Sequence, residues 1–385
     1  MEEKLNILFL NSWYPNIVQP FNGNFIQQHA RALSLCCNVA CLNVEYKEQK
    51  SAFEISSVQN KGVFEVIVYI KKPMGVLAWV KKIRRRHVAY KKGLEVIKKQ
   101  FSQIHLTHLN VIYPAGFFAL YLKKNFNIPY IITEHSTVYL NSNHNSFSGV
   151  KNIFIKNVVK KASKICTVSN DLKEAMMAKG YKGSYAVVPN VVNTQYFKFL
   201  DKEVIKPLKI LHVSSLKEEH KNVKAILRVV KKLHKKRTDF TITIISDGNL
   251  ESIKKYAENI ELSKAVLKTE GAKTIENIAL EMQKHDLFLL FSNYENSPCV
   301  ISESLVSGIP VISSNVGGIK EMISDTNGVL VEAANETELL NKLDDMLNRI
   351  TTYDRKKIAK EAKEKYSYQV VSNQFLSIYK EVLTQ

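Results

Sequence analysis

Short apolar runs alternate with longer segments of helical period along almost the whole chain, and this alternation predicts the fold class. Strands and helices in regular succession are typical of a mostly parallel, doubly wound sheet. We therefore predict an α/β protein. The predicted buried strands are residues 5–10, 39–44, 65–70, 104–109, 130–133, 164–168 and 185–188 in the first half of the chain, and 209–213, 240–245, 287–291, 311–313 and 328–331 in the second.

The alternation is interrupted at residues 194–207, where charge is mixed and no period is visible. This predicts a linker between two Rossmann-like domains, residues 1–193 and 208–365, with a last helical segment at 366–385. A chain of 385 residues is long enough for two domains that each bury a core. Ligands of doubly wound sheets bind beyond the carboxyl ends of the strands, so the turns there hold the candidate residues.

The turn after the strand at 287–291 is the most informative of these. Ser297 is a good N-cap, and Pro298 suits a first helical position, which needs no N–H group. A short helix is expected from there, ending at Gly308. The amides of Cys299 and Val300 then lie at a helix N-terminus, where an anion is favoured.

Two carboxylates, Glu295 and Glu303, stand on either side of this helix start. Carboxylates accept hydrogen bonds, which suits the hydroxyl groups of a sugar or a ribose. Together with the helix N-terminus, they predict a site for a phosphate and for hydroxyl groups. A plain β-α-β unit with solvated acids is the structural alternative.

Two further turns point to an anion. Lys221 precedes the predicted helix 223–234, where a cation opposes the helix macrodipole unless a bound anion lies there. We therefore assign Lys221 to a diphosphate. Gly23 stands between the first strand and the first helix, and a glycine there lets the backbone approach a phosphate closely.

Composition sets limits on the class of protein. The hydrophobic share of 45% and the charged share of 24% are those of a soluble globular protein. No apolar run reaches the roughly 20 residues of a membrane span, and residues 5–10 are too short for a signal peptide, so we expect a cytoplasmic protein. The five cysteines lack paired C-x-x-C spacing, which favours free thiols over disulfides or zinc ligands.

The net charge of +19 is concentrated in residues 71–100, which carry eleven Lys/Arg and a single acid, Glu95. Apolar residues are interleaved, which predicts a basic amphipathic helix on an anionic membrane surface. Nucleic acid is a competing partner, and a solvated helix face is the structural alternative. The interleaved apolar residues are Val76, Leu77, Trp79, Val80, Ile83 and Val88.

The pair Glu295 and Glu303, with seven residues between them, resembles the E-x7-E signature of retaining glycosyltransferase family 4 (glycosyl transferases group 1), which has the GT-B fold. The S-G-I-P-V-I and G-G-I-x-E stretches that follow are similar too. The resemblance implies two doubly wound domains with a cleft between them, and a last helix that crosses back to the first domain. Glu295 would face the donor sugar and Glu303 would hold the ribose hydroxyls. The residues implied against the diphosphate are Ser297, Pro298, Cys299 and Val300.

Further positions resemble this family, and their roles are carried over from it. His135 matches a T-x-H position beside the donor sugar, so His135, Glu295 and Lys221 are the expected catalytic residues. We interpret His29, His105 and His108 as structural. Ser215 stands where the family usually has an arginine, so its hydroxyl or backbone would replace one cation. The other expected donor-binding residues are Gly23, Asp247 and Gly248 of a G-D-G-like turn, and Ala272 and Lys273 of the loop that reads the nucleobase.

The resemblance implies retaining transfer of a sugar from a nucleoside diphosphate sugar to a glycan or lipid-linked acceptor in bacterial cell-surface polysaccharide or glycolipid synthesis. The chain has no D-x-D sequence, so we expect no metal, and no cofactor besides the donor. The enzyme is expected in the cytoplasm, at the inner face of the membrane through residues 71–100. Residues 136–149 are polar and predict a loop that helps to receive the acceptor.

Three alternatives stay open. The paired carboxylates are also compatible with a glycosidase, although acids beside a helix N-terminus suit a phosphate better. A GT-B nucleotide-sugar epimerase differs in its C-terminal pattern. The alternative of another class is a catalytically inactive GT-B module that binds a membrane surface or nucleic acid through its basic face. Nucleic acid is not expected as a partner of the enzyme.

Overall fold

The structure, a computed structural model, describes residues 4–74, 78–140, 147 and 149–384. The chain separates into two compact units, Met1–Val191 with Tyr368–Gln385 and Val192–Ser367. Each unit has its own sheet and its own hydrophobic core. The α/β class and the two Rossmann-like domains predicted from the sequence are confirmed.

The first unit is built on an eight-stranded sheet in the order β3-β4-β2-β1-β5-β6-β7-β8. Its strands are β1 (Asn6–Asn11), β2 (Asn38–Tyr46), β3 (Phe53–Asn60), β4 (Val63–Ile70), β5 (Leu106–Asn110), β6 (Tyr130–Glu134), β7 (Lys164–Thr167) and β8 (Tyr185–Val187). The helices that connect them are α1 (Asn24–Leu33), α2 (Ala78–Gln100), α3 (Gly116–Phe126), α4 (Gly149–Lys161) and α5 (Asn170–Ala178).

One strand of this sheet has no counterpart in the sequence prediction. β3 pairs antiparallel with β4, while the other neighbours in the sheet are parallel. It lies at the edge of the sheet, and its six central side chains are exposed to solvent. An edge strand without a buried face lacks the apolar pattern by which strands are predicted.

The second unit has a parallel six-stranded sheet in the order β11-β10-β9-β12-β13-β14. The strands are β9 (Leu208–Val213), β10 (Phe240–Ile245), β11 (Leu267–Glu270), β12 (Leu287–Leu290), β13 (Val311–Ser314) and β14 (Gly328–Val331). The helices are α6 (Glu218–Lys221), α7 (Val223–His234), α8 (Leu250–Asn259), α9 (Ile275–Lys284), α10 (Cys299–Val306), α11 (Glu336–Asn348) and α12 (Arg355–Tyr366).

The strand order of the second unit creates a switch point. From β9 the chain moves outward to β10 and β11, and then returns to β12 on the other side of β9. The connections that leave β9 and β12 therefore diverge and open a crevice at their carboxyl ends, which is where doubly wound sheets bind ligands. Helix α6 follows β9, and helix α10 follows β12.

The structure assigns two segments near the unit boundaries to one unit each. Phe197 of the predicted linker 194–207 is almost fully buried in the core of the second unit, so that segment is part of this unit. The last helix, α13 (Tyr368–Leu383), belongs to the first unit and packs against α1. Its buried residues Val371, Phe375 and Tyr379 join that core.

Parts of the predicted loop 136–149 are ordered by local bonds. Thr137–Tyr139 forms a 3-10 turn that the Ser136 side chain caps, and Tyr139 is buried. This turn is too short to show a period in the sequence. Residues 141–146 and 148 of the same segment lie outside the described residues.

Candidate active site

The crevice at the carboxyl ends of β9 and β12 brings together two segments that are far apart in sequence. The amide of Asn293, after β12, donates to the carbonyl of His220 in α6 at 2.8 Å, and the Asn293 side-chain amide donates to the carbonyl of Glu219 at 3.0 Å. These bonds fix α6 against the loop that carries Glu295. As a result, Lys221 and Glu295 lie side by side.

Lys221 and Glu295 form a largely buried ion pair. The Lys221 ammonium donates to Oε1 of Glu295, and the Ser292 hydroxyl donates to the same oxygen at 2.8 Å. Burial by itself raises the pKa of Glu295, but the charge of Lys221 and the His220 ring outweigh burial and lower that pKa to about 2. Glu295 is therefore a carboxylate throughout the physiological pH range.

His220 and Tyr294 extend this pair, and the sequence prediction included neither. Their rings stack with centroids 4.3 Å apart and planes 6° apart, and Nε2 of His220 lies 3.6 Å from Oε2 of Glu295. Each residue is the chain neighbour of a predicted site residue. Their position next to predicted site residues is the only sign in the sequence that they belong to the site. The contact between the two rings is visible only in the fold.

A second histidine, His212, holds the two strands in register at the crevice. Its Nδ1 is 2.8 Å from the carbonyl oxygen of Leu289 in β12, and its Nε2 is 2.7 Å from the hydroxyl of Ser214. Burial lowers the pKa of His212 to about 4, so the ring is neutral. We interpret it as a positioning residue for the turn after β9.

The start of α10 differs by one residue from the sequence prediction. Pro298, with φ −68° and ψ 119°, is the N-cap, and its carbonyl accepts from the amide of Ile301 at 3.1 Å. The prediction of Ser297 as N-cap and Pro298 as first helical residue is therefore wrong, because the extended ψ of Pro298 places it outside the helix. Cys299 and Val300 are in the first turn, where amides have no acceptor within the helix.

The prediction that Lys221 lies at the start of the helix 223–234 is wrong as well. Lys221 ends the short helix α6 instead of opening α7, and Asn222 separates the two helices in the left-handed conformation with φ 50°. A cation at a helix C-terminus is favourable, and the charge of Lys221 is balanced by Glu295. Its assignment to a diphosphate stays a prediction.

Glu303 lies in the second turn of α10 and differs from Glu295 in its protonation. Burial raises the pKa of the Glu303 carboxyl to about 7, although part of the side chain still reaches the surface. The two carboxylates of the E-x7-E pair thus have pKa values that are pushed apart by their surroundings. Burial also raises the pKa of the nearby Cys299 thiol, which is therefore neutral.

Ser215 and Gly248 are brought together by the turns after β9 and β10. A Cβ atom on Gly248 would lie 2.6 Å from the carbonyl oxygen of Ser215 and 3.0 Å from Cβ of Leu216. These distances are too short for any side chain at position 248, so only glycine fits there. The Ser215–Leu216 backbone cannot easily move away, because Leu216 is itself held in the left-handed conformation at φ 54°. The neighbouring Asp247 is exposed to solvent.

The predicted nucleobase loop lies at the end of the edge strand β11. Ala272 is exposed, and Lys273 pairs with Glu270 at 2.5 Å and with Glu281 at 3.0 Å. The charge of Lys273 is therefore balanced by two acids of its own unit. A backbone role for this loop stays a prediction.

Two predicted site residues belong to the first unit. Gly23 has φ 69°, and a Cβ there would lie 2.7 Å from the carbonyl carbon of Trp13, so this backbone contact already requires a glycine. The His135 ring is buried beside Phe25, with centroids 4.5 Å apart, and burial lowers its pKa well below the usual value. Their donor-side roles stay predictions.

The other histidines of the first unit have surroundings that suit a structural role. The His108 ring lies 2.6 Å from both the Tyr379 and the Thr133 hydroxyls, and His105 Nδ1 accepts from the amide of Asn6 at 2.8 Å. His29 is fully buried between the rings of His135 and Phe375.

The structure also bears on the expected state of the cysteines, on membrane-spanning helices and on metal ligands. All five cysteines are free, as predicted, and Cys37, Cys41 and Cys166 are buried. Within the ranges 4–74, 78–140 and 149–384, no helix combines the length and the apolar character needed to cross a bilayer. The same part of the chain holds no group of three His, Cys, Asp or Glu side chains that could ligate a metal ion.

Comparison with known proteins identifies the family of the chain. Residues 197–365 match the family model of glycosyl transferases group 1, and residues 49–196 match that of glycosyltransferase family 4. TuaC of Bacillus subtilis, described as a putative teichuronic acid biosynthesis glycosyltransferase, is 24% identical over 96% of this chain and 95% of its own length. The alpha-monoglucosyldiacylglycerol synthase of Streptococcus pneumoniae is 24% identical over 75% of this chain and 69% of its own length.

Solved structures share the fold. The structure of HepE from Anabaena, in complex with UDP and glucose, superposes with a TM-score of 0.70 at 16% identity, covering 98% of this chain and 100% of HepE. The two family matches together span residues 49–365. The chain belongs to glycosyltransferase family 4, with the GT-B fold, and is a glycosyltransferase.

Proposed function

We propose that the protein transfers a sugar from a nucleoside diphosphate sugar to an acceptor hydroxyl, with retention of configuration at the anomeric carbon. The observation that carries the proposal is the buried pair of Lys221 and Glu295 at the switch point of the second unit. It places a cation and a permanently ionised carboxylate next to the start of α10. This combination suits a ligand that presents both a diphosphate and hydroxyl groups.

The chemistry of the reaction explains why these groups are needed. The leaving group is a diphosphate, which requires positive charge and aligned amides more than it requires a strong acid. Lys221 supplies the charge, and the first-turn amides of Cys299 and Val300 supply donors. The Ser215 hydroxyl adds a contact at the position where the family resemblance implies a second cation.

The two carboxylates have separate roles in this proposal. Glu295 accepts hydrogen bonds from hydroxyls of the donor sugar, and Glu303 accepts from the ribose. Asp247, Gly248, Ala272 and Lys273 complete the donor site, the last two through the backbone that reads the nucleobase. The donor-side roles of His135 and Gly23 in the first unit are part of the proposal, as is the expectation that no metal or cofactor takes part.

The biological setting is proposed from the relatives. One acts, by its description, in teichuronic acid synthesis and another in glycolipid synthesis. We therefore place this enzyme in the assembly of a bacterial cell-surface polysaccharide or glycolipid, with a glycan or lipid-linked acceptor. It works in the cytoplasm at the membrane surface, to which the basic helix α2 attaches it.

The test is thermal stabilisation by a panel of UDP, GDP, ADP and their sugars. We expect one nucleotide to raise the melting temperature of the wild type, and the shift to be lost in Lys221→Ala. Proton NMR of the transfer or hydrolysis product of that donor then reports the anomeric configuration. Stabilisation by none of the nucleotides contradicts a donor site and favours the inactive binding module, and inversion contradicts retention.

A further inference from the structure

A cavity of about 420 Å³ lies in the first unit between helices α2 and α3. Its volume falls in the range of roughly 300–1,000 Å³ that is usual for small-molecule sites. None of the predicted donor-site residues lines it. Its walls include Tyr90, Tyr113, Phe117 and Phe118, and two cations, Lys82 and Arg86, also line it.

The aromatic walls are held in place by stacking. The rings of Tyr90 and Phe118 lie 5.1 Å apart with planes 18° apart, and those of Phe117 and Phe154 lie 3.6 Å apart with planes 13° apart. Tyr113 and Phe117 are nevertheless 38% and 37% exposed. A preformed aromatic surface that remains open to solvent is stabilised by an apolar ligand.

The cations give the cavity a second chemical character. The Arg86 guanidinium donates to the carbonyl of Val44 at 3.1 Å and lies over the Tyr46 ring at 4.7 Å, so its position is fixed. Lys82 is one helical turn away on α2, a helix with nine Lys/Arg and a single acid. The ligand that fits both features has an apolar body and an anionic group at one end.

The exposed surface of α2 next to the cavity is also suited to an amphiphile. Val80 and Ile83 of α2 are each 40% exposed beside these cations. Val76 and Leu77, which the sequence also predicts on this face, lie outside the described residues. Exposed apolar side chains interleaved with lysine and arginine are typical of a helix at the headgroup level of a membrane.

We propose that this cavity binds one hydrocarbon chain of an anionic, phosphate-bearing amphiphile, with the phosphate held by Lys82 and Arg86. The site goes beyond the donor site and rests on the first unit alone. In this site one molecule of a lipid phosphate binds per chain. This binding is separate from any adsorption of α2 to a membrane surface. If the acceptor is lipid-linked, this cavity holds its carrier chain.

The test is isothermal titration with decyl phosphate, kept below its micelle concentration, into the full chain. We expect saturable binding at one molecule per chain, and weaker binding of both decyl maltoside and inorganic phosphate. His87→Trp, which fills the cavity from its wall, reduces the affinity by about tenfold or more. Lys82→Glu reduces it by about fivefold or more, because it reverses the charge at the headgroup.

Arg84→Glu is the matched control, since Arg84 is an exposed cation of the same helix that does not line the cavity. We expect it to change the affinity by less than about twofold. Equal losses in Lys82→Glu and Arg84→Glu, with His87→Trp unchanged, overturn the proposal in favour of adsorption to the helix surface. Displacement of decyl phosphate by a single-stranded oligonucleotide, or the absence of saturable binding, overturns it as well.

Folding and donor binding are monitored separately. Phe117→Ser removes a half-exposed wall and replaces His87→Trp if the latter fails to fold. Each variant is also tested for stabilisation by the nucleotide that stabilises the wild type. Unchanged nucleotide binding with loss of decyl phosphate binding supports the cavity, whereas intact decyl phosphate binding without any nucleotide effect contradicts only the proposed function.

Discussion

The ammonium of Lys221 donates a hydrogen bond to the carboxylate of Glu295, a residue that is 74 positions away in sequence. The pair forms because β9 and β12 are neighbours in the sheet, so the turns that follow them meet. In this arrangement the carboxylate neutralises the cation before any ligand binds. If the proposed diphosphate binds here, it shares Lys221 with Glu295.

This sharing predicts opposite effects of one substitution on binding and on transfer. Glu295→Gln removes a negative charge beside the proposed diphosphate, so we expect a free nucleoside diphosphate to bind about three- to tenfold more tightly. Sugar transfer should fall by about 100-fold or more, since the proposal assigns Glu295 to the donor sugar. Titration calorimetry measures the first effect, and donor turnover the second. Unchanged turnover would exclude Glu295 from the reaction.

The raised pKa of Glu303 predicts that binding of the donor depends on pH. In the proposed donor site, ionised Glu303 accepts hydrogen bonds from the ribose, so affinity for a nucleotide sugar should rise as pH increases through about 7. A nucleotide sugar is used because its diphosphate has no titrating group near this pH. We expect a gain of about three- to tenfold between pH 6 and 8, absent in Glu303→Gln. An identical pH profile in that variant would contradict the assignment.

The same shift has a consequence for stability. Because the pKa is raised in the folded state, the contribution of Glu303 to stability is present below the ordinary value of 4.5 and is lost as pH rises to about 7. Glu303→Gln should therefore increase the free energy of unfolding at pH 8 by about 1–2 kcal/mol, a figure reduced for partial exposure. Urea unfolding at pH 4 and pH 8 measures the difference. Destabilisation at pH 8 would contradict the shift.

The stacked rings of His220 and Tyr294 should contribute to donor binding as a unit. Replacing either ring by alanine is expected to weaken nucleotide binding by roughly three- to tenfold, because the stacked rings no longer support the Asn293 bonds that hold α6 to the loop of Glu295. The double variant should lose little more than either single variant. A double-mutant cycle on the dissociation constant tests this, and additive losses would contradict a coupled pair.

Gly248 offers a test of the turn that holds Ser215. In Gly248→Ala the new methyl group meets the Ser215 carbonyl, so we expect destabilisation by roughly 1–3 kcal/mol and weaker nucleotide binding. Gly271→Ala is the matched control for stability alone, since a Cβ there meets no atom within 4 Å. Thermal unfolding with and without nucleotide separates the two effects. Equal behaviour of both variants would show that the contact at Gly248 is unimportant.

Much of the fold follows from local pattern. Strands such as β1 and β12, which are buried along their whole length, are apolar over most of it, and the sequence predicts them. β3 was missed because its exposed side chains carry no pattern, and α6 because four residues are too few to show a period. The N-cap of α10 was misplaced by one residue, since Ser297 and Pro298 both suit a helix start and only the backbone angles distinguish them.

Candidate residues can be selected from the sequence where a residue type has a chemical meaning by itself. The carboxyl groups of Glu295 and Glu303 are selected in this way and by the family resemblance, whereas the predicted position of Lys221 at a helix start is wrong. The contact of His220 with Tyr294 and the bridge of His212 to Leu289 depend on the pairing of strands that are distant in sequence, so no local pattern contains them. The pKa difference between the two glutamates likewise depends on burial and on neighbours.

The diphosphate site at the Lys221–Glu295 pair is tested most directly by calorimetric titration. The stabilising nucleoside diphosphate is titrated into the wild type, Lys221→Ala and Lys254→Ala. Lys254 is the control, because it forms an exposed ion pair with Glu251 in α8 of the same unit. We predict a loss of affinity of about 30-fold or more in Lys221→Ala and of less than about twofold in Lys254→Ala. Wild-type affinity in Lys221→Ala would contradict a diphosphate site at the Lys221–Glu295 pair.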